Sequence, residues 1–118
     1  MKILNKKTGK IGEDIATKFL EGKGYEIIKR NFANKFGEID IIARDGVVLV
    51  FVEVKTKIGE AFGSPEEMVG KGKLNKIKRM AAIYFNGKEV PCRVDVLAVV
   101  LGAGNEISRL AHYENVTG

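Results

Sequence analysis

The sequence is poor in the residues that build several common kinds of site. It has one cysteine, one histidine and no tryptophan among 118 residues. A lone cysteine cannot form an intrachain disulfide, so we expect no need for an oxidising compartment and interpret the protein as cytoplasmic. His112, near the C-terminus, has no histidine or cysteine close to it in sequence that could complete a zinc site. Cys92 has no neighbouring general base, which argues against a thiol nucleophile.

Long apolar runs and nucleotide-binding loops are also missing. No apolar run approaches the roughly 18–20 residues that a membrane-spanning helix needs, and the longest, at 47–52, is typical of a buried strand. The start of the chain lacks the apolar region of a signal peptide, so we expect no membrane partner. No Gly-x-x-x-x-Gly-Lys-Ser/Thr loop is present, which argues against an NTPase. The length and the lack of a linker predict one domain over residues 1–118.

Positive charge exceeds negative charge and is unevenly placed. The net charge is +5, from 20 Lys and Arg against 15 Asp and Glu. Five of the cations crowd into residues 71–79. A basic stripe attracts polyanions, of which nucleic acid is the commonest in the cell, so we expect DNA as a partner, with RNA left open. The predicted contacts are Lys71, Lys73, Lys76 and Arg79. The alternative is a solvated helix face that only keeps the protein soluble.

Hydrophobic spacing predicts the order of the secondary structure. A first helix is expected at about 8–21 and a main second helix at about 71–85, after a short turn that begins with the capping box of Ser64-Pro65-Glu66-Glu67. Strands are expected at 25–32, 36–44, 47–57, 92–101 and, as an edge strand, 106–113. This order predicts an α/β fold with a mixed sheet of four to five strands flanked by helices.

The strongest local signal is a hairpin at Asp45-Gly46, which separates two β-branched runs. If these two residues form the turn, Asp40 faces Phe51, and residues two apart on one strand share a face. One face then carries four charged side chains: Glu38, Asp40, Glu53 and Lys55. The other face is expected to be purely apolar, with Ile39, Ile41, Val48, Val50, Val52 and Val54.

Carboxylates gathered on one face of a sheet repel one another unless a positive charge lies between them. A divalent cation is the simplest remedy, because Mg²⁺ binds hard oxygen ligands, typically one or two carboxylates with water and phosphate oxygens. Asp40 and Glu53 are therefore predicted metal ligands. Lys55 would stabilise charge that develops on a phosphate or orient the attacking water.

The segment Gly37-Glu38-Ile39-Asp40 followed by Glu53-Val54-Lys55 resembles the signature of the PD-(D/E)XK nuclease superfamily. A longer ordered set of motifs is similar to the YraN family of uncharacterised bacterial proteins, which are described as endonucleases by likeness to archaeal Holliday-junction resolvases. These motifs, spread over about residues 9–100, are Gly9-x-x-Gly12-Glu13-x-x-Ala16, Arg30-Asn31, Gly37-Glu38-Ile39-Asp40, Phe51-Val52-Glu53-Val54-Lys55-Thr56-Lys57, Phe62-Gly63-x-Pro65 and Arg93-x-Asp95-Val96.

The resemblance implies a restriction-endonuclease-like fold, dependence on Mg²⁺ or Mn²⁺, and hydrolysis of DNA phosphodiesters, with branched or junction DNA as a candidate substrate. Asp40, Glu53 and Lys55 take the core catalytic positions, and Glu13 takes a helical acidic position that assists the metal. A homodimer is expected if a junction is cut on two strands. Two alternatives remain: a nucleic-acid-binding module that keeps the fold without cutting, and an assembly domain whose carboxylates pair with a partner's lysines.

Asp95 lies inside the buried run that follows Cys92, so its carboxylate needs a partner. Arg93 is expected on the opposite face of that strand, so another group would supply the pairing. We predict a structural role for Asp95.

Overall fold

Two helices and five strands make up the part of the chain that the computed structural model describes, residues 6–59, 69–84, 86, 88 and 90–117. In chain order they are α1 (Lys6–Gly22), β1 (Glu26–Asn34), β2 (Gly37–Asp45), β3 (Val48–Ile58), α2 (Lys71–Tyr84), β4 (Cys92–Leu101) and β5 (Ile107–Tyr113). The predicted mixed α/β fold is confirmed, including the fifth strand. The predicted turn at 64–67 lies outside the described residues.

The strands form one sheet in the order β1-β2-β3-β4-β5. Neighbours are antiparallel except for β3 and β4, which run parallel in register from Leu49 opposite Cys92 to Ile58 opposite Leu101. A parallel pair needs a crossover connection, and α2 lies in it. Neither α1 nor α2 is long and apolar enough to cross a bilayer.

Each face of the sheet is covered by one helix. On one face α1 contributes Ala16 and Leu20, which pack on strand residues such as Val50 and Val52. On the other face α2 contributes its buried side chains Leu74, Ile77, Met80 and Ala81. The central strands are buried on both faces, which explains why β4 is apolar almost throughout. Burial of each large aliphatic side chain stabilises the fold by about 1.5–3 kcal/mol.

One detail of the apolar faces differs from the prediction. Ile39, expected on the same face as Ile41, packs instead with Ile42 in the cluster beneath α2. The exception lies at a local irregularity of the sheet, because Asn31 in β1, between the partners of Ile39 and Ile41, has a φ of 54°, a left-handed conformation that interrupts regular strand geometry.

The hairpin turn lies one residue further along than predicted. Asp45 pairs with Val48, so Gly46 and Val47 form the turn instead of Asp45 and Gly46. Gly46 has a φ of 62°, a left-handed conformation that glycine adopts without strain, which favours it as the first turn residue. Both strands move by one residue together, so the paired residues 41–45 and 48–52 keep their predicted faces.

Candidate functional site

The candidate site lies where β2 and β3 separate. Regular pairing between these strands runs from the turn to Ile41 opposite Val52. The next residues along the two strands are Asp40 and Glu53, so Asp40 does not face Phe51 as predicted. Asp40 Oδ2 accepts a hydrogen bond of 2.8 Å from the backbone N–H of Val54. A side chain thus joins the strands where the regular ladder has ended, and it holds the Asp40 carboxylate beside Glu53.

Glu53 is buried, with only 8% of its side chain exposed. Its Oε1 lies 3.0 Å from Nζ of Lys73, which comes from the first turn of α2. Its Oε2 is buried and has no hydrogen-bond partner among the described residues. A buried acceptor without a partner costs about 1–3 kcal/mol, and more when it is charged. The second oxygen of Glu53 is therefore open to a proton or a cation.

The two carboxyls oppose each other's ionisation. Burial raises the pKa of Glu53 to about 7, with a further rise from the charge of Asp40, and the pairing with Lys73 only partly offsets this. Burial also raises the pKa of Asp40, although the hydrogen bond from Val54 works in the opposite direction. Desolvation and a neighbouring like charge both favour the neutral acid. A cation placed between the carboxyls would relieve both effects.

Glycine brings α1 close to β3 and so places the acidic residue that follows it. A Cβ atom on Gly12 would lie 1.9 Å from Oγ1 of the buried Thr56, far inside van der Waals contact. Only glycine fits at this crossing without displacing the helix or the strand. Glu13 therefore starts from a fixed backbone position close to β3.

Glu13 lies within electrostatic reach of the carboxyl pair but is not part of it. Burial raises its pKa first, and the charges of Asp40 and Glu38 raise it further, whereas Arg30 lowers it. The Arg30 guanidinium is 3.9 Å from Glu13 and only 2.8 Å from Asp14, so it binds Asp14 more closely. Glu13 thus stays available to the site.

The acidic side chains of the site have the chemistry that a divalent cation binds, but fewer than three of them lie together among the described residues. Within the described ranges there is no group of three or more His, Cys, Asp or Glu side chains placed to hold a metal together. Asp40 and Glu53 form a pair, with Glu13 at its periphery. Mg²⁺ commonly binds proteins through one or two carboxylates and completes its shell with water and phosphate oxygens. The chemistry of this pair and its unpartnered oxygen fit that mode, and the assignment of ligands stays a prediction.

Two lysines flank the pair from different elements. Lys55 follows Glu53 by two positions on β3, is half-buried, and makes no ion pair with any described residue. Lys73 binds Glu53 directly. Burial tends to lower the pKa of Lys73, but Glu53, Asp40 and Glu38 outweigh burial and raise it. Lys73 was predicted as a phosphate contact, and its pairing with Glu53 was not predicted.

The other predicted nucleic-acid contacts are exposed on α2 but do not all border the carboxyl pair. Lys76 lines, together with Lys73 and Glu38, a small cavity of about 160 Å³ next to the site. Lys71 instead lines a cavity of about 230 Å³ on the side of α2 that faces the C-terminal segment. Arg79 is exposed. The basic residues thus surround α2 and do not form one narrow stripe.

A larger opening lies on the α1 side of the site. It has a volume of about 670 Å³ and is lined by Gly9, Lys10, Glu13, Arg30, Asn31 and Glu38. Glu38, which is not among the predicted catalytic residues, borders this opening and the smaller cavity beside α2. Glu38 thus lies between the two openings.

A second polar cluster lies buried under the end of α1, and the sequence predicted only one of its members, Asp95. Asp95 is fully buried and accepts hydrogen bonds from Arg93 Nε at 3.1 Å, from the Asn115 backbone N–H at 2.9 Å and from His112 Nε2 at 2.8 Å. The expectation that Arg93 points to the opposite face is wrong, because residues two apart on a strand share a face. That spacing in the sequence already contained the signal.

His112 belongs to this buried cluster. It lies on β5, with its side chain 5% exposed, and its Nδ1 is 2.9 Å from Nζ of Lys23. Because an ammonium only donates, Nδ1 accepts, and the Nε2 proton is directed to Asp95. Burial would raise the pKa of Asp95, but the bonds from His112, Asn115 and Arg93 lower it overall. The predicted structural role of Asp95 agrees with these contacts.

The architecture and the acidic pair define a small α/β protein with a carboxylate site between two central strands. A model of the uncharacterised protein family UPF0102 matches residues 12–99. A UPF0102 protein of Dictyoglomus turgidum is 41% identical over 114 residues, covering 94% of this chain and 97% of that protein. The UPF0102 protein of Symbiobacterium thermophilum is 44% identical over 102 residues, which cover 84% of this chain and 86% of that protein. The UPF0102 protein of Thermodesulfovibrio yellowstonii is 43% identical over 109 residues, which cover 91% of this chain and 92% of that protein.

The chain therefore belongs to family UPF0102, the family that its motifs resemble under the name YraN.

Proposed function

We propose that the protein is a metal-dependent endonuclease that hydrolyses DNA phosphodiesters, with branched DNA as the substrate to test first. The observation that carries the proposal is the Asp40–Glu53 pair. These carboxyls, one half-buried and one buried, come from adjacent strands, each has a raised pKa, and one oxygen of Glu53 has no partner among the described residues. A protein that keeps such a pair at a cost in stability is expected to use it for chemistry.

In this proposal each side chain has a distinct task. Asp40 and Glu53 hold the cation, Mg²⁺ or Mn²⁺, and the Val54 N–H keeps Asp40 in position. A divalent cation bound there supplies Lewis-acid chemistry for phosphodiester hydrolysis. Lys55, which has no ion pair with the described residues, donates to the phosphate as negative charge develops on it. Glu13 assists from the periphery by orienting water.

The basic residues of α2 bind the phosphates that flank the scissile bond. Lys73 and Lys76 border the site, and Lys71 and Arg79 extend the positive surface around the helix. Contacts of this kind release condensed counterions, so affinity should fall steeply as salt rises. A flat salt response would argue against α2 as the nucleic-acid surface.

The test compares cleavage by the wild type with cleavage by two single variants. Labelled four-way junction, flap, linear duplex and RNA hairpin substrates are incubated with each protein in Mn²⁺. We expect the wild type to cut at least one DNA, with the branched forms cut fastest. Glu53→Gln should lose activity by about 10²–10³-fold, the range seen when one key charge-stabilising group is removed. The matched control is Glu26→Gln, which removes an exposed carboxylate whose ion pair among the described residues is with Arg44 at the edge of the sheet.

Three other results would redirect the proposal. Cutting of the RNA hairpin alone would replace DNA by RNA as the substrate. Tight binding without cutting by any variant would favour the non-catalytic binding module. If neither nucleic-acid binding nor Mn²⁺ uptake is detected, the favoured function becomes that of an assembly domain, in which the carboxylates pair with lysines of another chain.

A further inference from the structure

The ion pair between Lys73 and Glu53 joins a fixed partner to a movable one. The Glu53 side chain is 8% exposed and lies on a central strand, whereas the Lys73 side chain is 52% exposed at the start of α2. Lysine carries its charge at the end of four flexible methylenes. The ammonium can therefore leave by rotation of its own side chain, while the carboxylate stays in place.

The position of Lys73 is not explained by the stability of its helix. The first turn of α2 contains Lys71 and Lys73 and no acidic residue. The positive end of the helix dipole disfavours cations there and favours acids. A lysine at this point is explained by its partner on β3, not by helix capping.

We propose that Lys73 is a built-in counterion of the candidate metal site. This inference rests on the proposed function. In the metal-free protein Lys73 neutralises Glu53, and Glu53 exchanges the ammonium for a divalent cation when metal and substrate arrive. Two cations on one carboxylate repel each other, so the exchange expels Lys73. The freed ammonium then lies beside the site on the surface proposed to bind phosphate, which couples loading of the metal to binding of the nucleic acid.

The proposal predicts that loss of Lys73 strengthens metal binding, whereas loss of a metal ligand would weaken it. Removal of the Lys73 charge should tighten the binding of metal, because Glu53 no longer has to give up a partner. We expect the Kd for Mn²⁺ to fall roughly tenfold in Lys73→Gln, the factor that corresponds to one charge-assisted hydrogen bond. The same variant should bind DNA more weakly when metal is present.

The experiment is a calorimetric titration of Mn²⁺ into the nucleic-acid-free protein at one pH. The variants are wild type, Lys73→Gln, Glu53→Gln and the matched control Lys78→Gln. Lys78 is an exposed lysine on the same helix, and it lines cavities away from the carboxyl pair. The proposal requires tighter binding in Lys73→Gln and a change of less than about twofold in Lys78→Gln, so that general loss of positive charge is accounted for.

The possible failures can be told apart. If the wild type binds Mn²⁺ through Glu53 and Lys73→Gln binds no tighter than Lys78→Gln, the counterion role is overturned while the metal site stands. If no protein binds Mn²⁺, the metal site and the counterion role both fall. A second measurement needs no variant: the side-chain ¹⁵N signal of Lys73 in the wild type should lose its ion-paired character as Mg²⁺ is added. A Lys73 side-chain ¹⁵N signal that stays unchanged under saturating Mg²⁺ would also overturn the proposed exchange.

Discussion

Replacing Glu53 with glutamine should change how the stability of the protein depends on pH, even in the absence of metal and nucleic acid. Burial and the charge of Asp40 raise the pKa of Glu53 from 4.5 to about 7. A carboxyl with a higher pKa in the folded than in the unfolded protein binds its proton more tightly when folded. Its contribution to stability is fully present below pH 4.5 and is lost as the pH rises through about 7. Glutamine does not titrate, so the variant lacks this loss.

The size of the effect follows from the shift. One pKa unit corresponds to 1.36 kcal/mol, so the rise from 4.5 to about 7 is linked to about 3 kcal/mol of unfolding free energy, of which about 2–3 kcal/mol falls between pH 5 and pH 8. Little of this is lost to solvent screening, because only 8% of the Glu53 side chain is exposed. Removal of the Glu53 charge also relieves Asp40, which should flatten the pH profile of the variant further.

The assay is urea unfolding at half-unit steps from pH 5 to pH 8 in buffer with a chelator. The quantity to compare is the difference in unfolding free energy between wild type and Glu53→Gln at each pH, since groups that do not interact with Glu53 titrate alike in both proteins. We expect this difference to move in favour of the variant by about 2–3 kcal/mol across the range. Parallel curves would show that Glu53 is ionised at its ordinary pKa, and the argument for a strained carboxyl pair would fail.

Three further outcomes test the packing and the basic surface. Gly12→Ala should lower the free energy of unfolding by at least about 2 kcal/mol, because the added Cβ has no room. Gly9→Ala, where a Cβ would have no atom within 4 Å, should be neutral or stabilise the protein by up to about 1 kcal/mol. Equal melting curves for the two variants would refute the close crossing of α1 and β3. Asp95→Asn should cost about 3–5 kcal/mol in urea unfolding, and a loss below 1 kcal/mol would mean that the buried cluster is not energetically coupled. Lys76→Ala and Arg79→Ala should each reduce the slope of log Kd for DNA against log salt by about 1, and unchanged slopes would place the nucleic acid elsewhere.

The approach of Asp40 to Glu53 could be predicted because it depends on the hairpin that joins β2 to β3. The predicted turn was one residue too early, since Gly46 and not Asp45 takes the first turn position. The error moved both strands equally, so the faces of the paired residues 41–45 and 48–52 are as predicted. Ile39 departs from the alternation at a local irregularity of the sheet. Ile39 pairs with Phe32 and Ile41 with Arg30, and between them in β1 Asn31 has a φ of 54°, a left-handed conformation that interrupts regular strand geometry.

Contacts made between elements far apart in sequence could not be predicted in the same way. Nothing in the spacing of Lys73 shows that its ammonium meets Glu53, because the path of the chain into α2 decides that contact. His112 meets Asp95 because β5 folds back on β4 in one particular register. Arg93 is different: its two-residue spacing from Asp95 was sufficient to predict their contact, and the rule was misapplied.

The parallel pairing of β3 with β4 has a consequence for how the protein is made. The β2–β3 hairpin leaves the ribosome complete, but β3 receives its second neighbour only after α2 and the following segment have been synthesised. Until then its far edge is an unprotected template, rich in β-branched residues, to which other nascent chains can add. A chain that stops before Cys92 should therefore accumulate as aggregate and not as a smaller folded unit.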